Sequence, residues 1–279
     1  MIKYLVASGC SFTCENLQNH TSDKAHFLTT WVSPLAESLG AEKINMGLGS
    51  QGNGLIMKKT MWAVSDLLKH EHVFPEDILA VVMWSGPSRM EWFDEDGEQL
   101  SNIDNWIHLR NPETFIPNAT GGWVIGNHHW KEQRSKVWYQ NFQNPTYDII
   151  TTFEHILNLQ NFFDVHGIKY VMTTYTGNAL NNFGMDKLSN WQAYESASNV
   201  SWMNDMIDWS HWPDIVGEAD WLRDNYDKYD VFSVGSPPVF RVEEIEQYPN
   251  AYWHPTPHGH KLFSDGVLLP FIRNLYDTV

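Results

Sequence analysis

The sequence predicts one three-layer α/β/α sandwich built on about five parallel strands. Three observations predict it. Candidate strands at residues 4–7, 43–46, 78–84 and 168–174 alternate with segments of helical periodicity. The intervals between them are long enough for the crossovers that parallel pairing requires. The run Ile78–Trp84 is apolar at every position, as a strand buried on both faces must be. At 279 residues the whole chain, 1–279, is expected to form this single domain, with two Trp-rich insertions at about 90–147 and 177–228.

Residues 4–7 read as a buried strand that breaks at Gly9 into small polar residues centred on Ser11. That position lies just past the carboxyl end of the first strand, where open α/β sheets build their sites. Ser11 and Thr13 are also residue types that cap a following helix, so the local pattern leaves both roles open. Over residues 22–39, Phe27, Trp31, Leu35 and Leu39 recur at a spacing of four and predict a helix. Gly40 is its stop, and Pro34 is expected to bend or split it. A short second strand at 43–46 runs into a loop, 47–54, with four glycines in eight residues. Backbone N–H groups in such a loop can approach a ligand closely.

A helix over 55–70 follows, with Ile56, Met61, Val64 and Leu68 as its apolar stripe. The third strand ends in Ser85-Gly86-Pro87-Ser88-Arg89, and the first insertion then lacks sustained periodicity. Residues 151–166 predict a helix with Phe153, Ile156, Leu157 and Phe163 on one face and Gly167 as the stop. After the fourth strand, short helices are expected near 191–198 and 201–209, then a weak fifth strand at 229–234. A terminal helix over 257–275 carries Leu262, Phe263, Val267, Leu269, Phe271 and Leu275, with a kink expected at Pro270.

The formal net charge is −16, from 34 acidic against 18 basic side chains, and no Lys/Arg cluster stands out. A nucleic-acid backbone or an anionic membrane surface would be repelled, so neither is an expected partner. No run of about 18 apolar residues occurs, which excludes a transmembrane helix. The N-terminus lacks a charged leader with an apolar core and cleavage site. Cys10 and Cys14 are too few for a disulfide framework or a structural zinc site and read as reduced thiols. Of 14 tryptophans, twelve lie in the stretch from Trp84 to Trp253, so the enrichment is local. They would serve either as the insertions' own small core or as a stacking platform for sugar rings.

Four blocks in order, at Gly9-Cys10-Ser11-Phe12-Thr13, Asn45 with Gly49, Gly86-Pro87-Ser88, and His254-Pro255 with Gly259-His260, resemble the SGNH/GDSL hydrolase superfamily. More narrowly, the Gly-Cys-Ser-Phe-Thr opening and the run Trp84-Ser85 through Arg89, Glu91 and Trp92 look like a group of SGNH-like proteins common in bacteriophages. The resemblance spans the predicted sheet and terminal helix but neither insertion, and it implies an SGNH/flavodoxin-like sandwich. It also implies acyl transfer to water, with Ser11 as nucleophile and His254 as the base that takes its proton. Ser11 and Gly49 would supply backbone oxyanion donors, with Gly52 in place of Gly49 if the register slips. Ser88 stands where the family carries an Asn donor. Asn53, Arg89 and Trp253 flank these blocks and are assigned to substrate contact.

Two departures bear on the chemistry. Ser88 is shorter than Asn, and Ala251 occupies the position three residues before His254 where the family carries Asp. Some members orient the histidine through a backbone carbonyl, so the resemblance implies a Ser11–His254 dyad or incomplete triad. His258 and His260 fit equally well as residues packing against the helix start. A zinc site from His254, His258 and His260 with His128 or His129 has suitable ligand types but no helical ligand spacing, so neither metal nor cofactor is expected. Cys10, next to Ser11 along the turn, is expected to point into the core.

The leading expectation is an esterase or deacetylase acting on a small-molecule or carbohydrate ester. Its rivals are a non-catalytic SGNH-fold protein that binds glycan or protein, and a phage virion-associated scaffold. The expected location is the cytoplasm, of the host if phage-encoded, or the virion. Oligomeric state is not legible in the sequence.

Overall fold

A computed structural model describes residues 1–15, 29–47, 51–87, 89–94, 122–126, 137–138, 140–175, 201–213, 217–226 and 255–276. Its centre is a four-stranded, all-parallel sheet of β1 (Tyr4–Ser8), β2 (Glu42–Asn45), β3 (Ile78–Trp84) and β6 (Lys169–Thr174). The spatial order is β2-β1-β3-β6. β1 aligns Ala7 with Asn45 on one side and Ser8 with Val82 on the other; β3 aligns Trp84 with Thr174. The predicted fifth strand at 229–234 lies outside the described residues.

Burial follows position in the sheet. In β1 and β3, flanked on both sides, Leu5, Val6, Ala7 and every residue of Ile78–Trp84 are fully buried. β2, Glu-Lys-Ile-Asn at the described edge, is half-exposed, and its polar sequence suits that place. Alternate side chains divide into two apolar layers. Val6, Ala80, Val82, Trp84, Tyr170 and Met172 pack under α2 (Asn53–Leu67) and α3 (Pro145–His166). Leu5, Ala7, Leu79, Val81, Met83 and Val171 pack under α1 (Val32–Leu39) and the C-terminal helical segment. The described residues thus form the three-layer α/β/α arrangement.

Local chemistry sets the helix ends. α1 and α3 stop at Gly40 and Gly167, both left-handed at φ 64° and 66°, as the sequence predicts. α3 starts six residues earlier than its apolar stripe suggests, because the Asn144 side chain accepts from the Thr146 and Tyr147 N–H groups ahead of that stripe. Pro34 does not bend α1. The helix begins at Val32, so Pro34 falls in the first turn, where no i−4 carbonyl bond is lost.

The C-terminal helix is corrected in a similar way. It runs as α6 (Pro257–Phe263), a π-helical turn over Ser264–Leu268, and α7 (Leu269–Leu275). The wider turn sits just ahead of Pro270, whose ring and missing N–H are incompatible with a regular bond to residue 266.

Within the first insertion, β4 (Met90–Asp94) and β5 (Gly122–Gly126) form an antiparallel pair the sequence did not announce. In the second, α4 (Ser201–Asn204), a 3₁₀ turn at Trp209–His211 and α5 (Glu218–Asn225) are described. The expected helix over 201–209 is therefore one turn of α-helix followed by a separate 3₁₀ turn. The expected helix at 191–198 lies outside the described residues.

Candidate active site

The strand order fixes where a site can form. From β1 the chain moves one way to β2, then crosses back over β1 to β3 and β6. The crevice at such a reversal, outside the carboxyl ends of the strands, is where open α/β sheets bind ligands. The loops that leave β1 and β3 therefore matter most, and they carry Ser11 and Gly86–Arg89.

Ser11 lies half-buried on a tight turn. The Thr13 and Cys14 N–H groups both donate to the Cys10 carbonyl, at 3.0 and 3.1 Å, closing one helix-like turn around it. Side chains from the end of β2 and from the loop after it pin the turn from outside. Gln51 Nε2 donates to the Gly9 carbonyl at 2.7 Å, and Asn45 Nδ2 to the Thr13 carbonyl at 2.7 Å. Thr30 Oγ1 donates to the same Thr13 oxygen at 3.1 Å. Cys10 and Phe12 on either side of Ser11 are buried in the core, and both cysteines are free thiols. Ser11 is thus held at the rim by neighbours that face inward.

On the far side of β3, Tyr175 follows directly after β6. Its ring packs against Phe12 at 5.1 Å between centroids, and the Arg89 guanidinium lies over it at 5.6 Å. A side chain at Gly86 would come within 3.4 Å of the Tyr175 hydroxyl. Phe12, Tyr175 and Arg89 therefore join the ends of β1, β6 and β3 at the crevice. The Tyr175 carbonyl accepts from Ala219 N–H at 2.9 Å, which ties α5 to the same rim.

Asn53 has a different task from the substrate contact expected of it. Its Oδ1 accepts from Ser85 N–H at 2.8 Å, while Nδ2 donates to the Ser85 carbonyl and Thr152 Oγ1, both at 3.1 Å. It is 3% exposed, with both ends of the amide committed. Asn53 clamps the β3 loop onto α2 and α3, and its amide is not presented to a substrate.

Three acid–imidazole neighbourhoods occur among the described residues: Asp208 with His211, partly exposed at 3.7 Å, and two that are more deeply buried. Glu218, on α5, and His260, on α6, pair at 2.5 Å between Oε1 and Nδ1 with both side chains essentially buried. Burial pushes the Glu218 carboxyl up, against the pull of His260. The other lies at the start of α2. The Glu91 carboxylate fills the space beside Gly52 and Gly54, where a side chain at Gly54 would also meet the His155 ring at 3.0 Å. Burial lifts Glu91 to about 7, opposed by Lys58 and by the Leu55 N–H bond. Burial, with Lys58, lowers His155 to about 4. Lys59, one residue on, is 4% exposed and lowered to about 8 by burial, with Cys14 acting in the opposite direction.

Of the residues expected in the site, Ser11 and Arg89 meet at the crevice through Phe12 and Tyr175. His254, Gly49, Ser88 and Trp253 lie outside the described residues, as do His128 and His129. Gly52, the alternative to Gly49, faces the Glu91 carboxylate. Among the described residues, no three His, Cys, Asp or Glu side chains group to hold a metal ion, and no helix is long and apolar enough to cross a membrane. Tyr175 and Glu218 were not anticipated. Tyr175 could have been found as the first residue past a strand's carboxyl end, whereas nothing local marks Glu218.

A family model described as a family of unknown function (DUF6071) matches residues 15–278. The chain belongs to this family. The match begins just after the Ser11 turn, so the turn itself falls outside it. No curated protein matches the chain in sequence. Among solved structures, a member of the lipolytic protein G-D-S-L family from Veillonella parvula is similar, with TM-score 0.42 and 11% identity over 99% of this chain and 100% of that one. A carbohydrate acetylesterase family member from Sinorhizobium meliloti gives 0.41 and 13% over 98% and 99%. A catalytic mutant of an acetylxylan esterase from Geobacillus stearothermophilus gives 0.36 and 12% over 97% and 94%. These likenesses are too slight to carry an activity to this chain.

Proposed function

We propose that the chain is a serine ester hydrolase of the SGNH type with Ser11 as nucleophile. The observation that supports this most is the Ser11 turn: a serine on a side-chain-pinned turn at the carboxyl end of the central strand, beside the strand-order reversal. In the proposed reaction, Ser11 Oγ attacks the ester carbonyl, and His254 takes the proton and returns it to the leaving alcohol. Water then hydrolyses the acyl-enzyme by the same route. The Ser11 and Gly49 N–H groups, with Ser88, would face the developing oxyanion.

Support for His254 comes from its neighbours in sequence. Thr256 caps α6, whose Phe263 shares an apolar layer with Phe12. With Ala251 in place of an acid, the imidazole is oriented less firmly, which lowers the rate without removing the mechanism. The tryptophan-rich insertions suggest an O-acylated carbohydrate as substrate, with Arg89 and Trp253 contacting it. Hydrolysis of p-nitrophenyl acetate tests the reading: it should be measurable, and lost in Ser11→Ala with unfolding unchanged. A rate unaffected by that substitution removes Ser11 as nucleophile.

Ala251 and Ser88 favour a second reading, a protein of the same fold that binds glycan without turnover. It predicts retention on acetylated xylan with no ester cleavage, reduced by Trp123→Ala.

A further inference from the structure

We infer that a pH-sensitive latch holds the β4–β5 hairpin: Glu91 seats as a neutral acid in the notch left by Gly52 and Gly54, and withdraws on ionising. The inference does not depend on the esterase reading. It concerns how the first insertion attaches to the α/β sandwich.

Geometry carries it. Gly52 is the N-cap of α2 and has no side chain with which to cap the helix. Glu91, carried in on β4, supplies the missing acceptor and bonds the N–H of Leu55, the third helical residue. A side chain at Gly52 would collide with Glu91 Oε2 and come within 3.0 Å of the Arg89 carbonyl oxygen. One at Gly54 would collide with Glu91 Oε1 and stand 3.2 Å from His155 Nε2. The two glycines therefore leave a slot that both carboxyl oxygens occupy. Arg89, whose carbonyl borders the slot, is the residue before β4, and its guanidinium lies over the Tyr175 ring at 5.6 Å. The latch thereby ties the root of the hairpin to the crevice rim.

Opposed influences set the pH response. Lys58 on α2 and the Leu55 N–H favour the carboxylate, but burial outweighs both and lifts Glu91 to about 7. His155 on α3 is the other titratable group facing the slot among the described residues, and burial with Lys58 lowers it to about 4. It is neutral over the range that matters and offers Glu91 no compensating charge. A carboxyl raised from 4.5 to about 7 by docking favours the docked state fully below pH 4.5. That contribution is lost as pH rises through 7. Between about pH 5 and about pH 8 the docking equilibrium should weaken roughly 10²-fold.

The test is amide hydrogen exchange of the full chain across that range, with each rate divided by the intrinsic rate at the same pH. Peptides covering 90–94 and 122–126 report the hairpin, and peptides covering 78–84 report the central sheet. The wild type is compared with Glu91→Gln, a permanently neutral side chain, and with Glu91→Ala, which removes the latch. In the wild type, hairpin protection should fall roughly 10²-fold from about pH 5 to about pH 8 while β3 stays protected. Glu91→Gln should stay protected throughout, and Glu91→Ala should be poorly protected at both ends. A wild-type hairpin whose protection ignores pH overturns the inference, as does a Glu91→Gln hairpin that loses protection like the wild type. Parallel loss in β3 also overturns it, because the event would then be global unfolding and not release of the hairpin.

Discussion

The two more deeply buried acid–imidazole neighbourhoods, Glu218–His260 and Glu91–His155, are alike in composition and opposite in arrangement. At Glu218–His260 the groups are bonded at 2.5 Å, and both are nearly inaccessible. At Glu91–His155 the carboxylate instead sits at the start of α2, bonded to Leu55 N–H, and His155 Nδ1 is buried without a hydrogen bond. In the first, Oε1 and Nδ1 bond to each other and join α5 to α6, while Glu218 Oε2 stays buried without a hydrogen bond. In the second, Glu91 is shifted by burial, opposed by Lys58 and by the bond to the helix start, and His155 is shifted by burial and Lys58, so neither stabilises the other's charged form. A carboxylate close to an imidazole is therefore a strut in one corner and a pair of separately strained titratable groups in the other.

The largest expected effect is at the strut. Glu218→Ala leaves a buried imidazole without its acceptor and should cost about 3–5 kcal/mol in urea unfolding. Glu218→Gln, which keeps an oxygen for His260, should cost clearly less. A loss below about 1 kcal/mol for the alanine variant would mean that the bond contributes little net stability.

Next in size is Gly54→Ala. The new methyl group would meet the Glu91 carboxylate and the His155 Cε1 and Nε2 atoms, the latter two at 3.0 and 3.2 Å. The expected loss is about 1–3 kcal/mol. Restoration by a second substitution, Glu91→Ala, would confirm that the clash is with this corner.

A third effect concerns pH: in the wild type the two groups largely cancel, because the sign differs between them. Glu91 is raised, from 4.5 to about 7, so the folded chain holds an extra proton there between those values. Its contribution to stability falls as pH rises through that window. His155 is lowered, from 6.5 to about 4, so its contribution rises with pH over 4 to 6.5. The slopes oppose each other in the wild type between about 4.5 and 6.5. Glu91→Gln should unmask a stability that climbs with pH over 4 to 6.5, and His155→Asn one that falls from about 4.5 to 7. Two variants with identical pH profiles would contradict this account of the corner.

How much of this was legible follows from what each signal depends on. β1, β3, β6 and the two glycine stops were readable because burial on both faces writes apolar runs and a left-handed C-cap writes glycine; β2, polar and half-exposed at the described edge, carries no such run. The β4–β5 pair was not, because Met90–Asp94 mixes apolar and acidic residues without regular alternation. Pro34 and Pro270 were read as breaks, but their effect depends on where the helix starts and on a wider turn upstream. In the site, Ser11 and Arg89 were visible as loop residues after strands. Asn53 looked like a ligand contact because a polar residue in a glycine-rich loop usually faces solvent. Its partners, Ser85 and Thr152, are 32 and 99 residues away, and no local pattern announces such a clamp. Glu218–His260 spans 42 residues and was hidden for the same reason.

The central claim is that Ser11 is the nucleophile at the β1 crevice. The most direct measurement is the intact mass of the chain quenched with acid during turnover of p-nitrophenyl acetate, followed by peptide mapping. The account predicts a species heavier by one acetyl group, with the acetyl on Ser11, that is absent from Ser11→Ala. Turnover with the acetyl group mapped to another residue, such as Lys59 or Cys14, would contradict it.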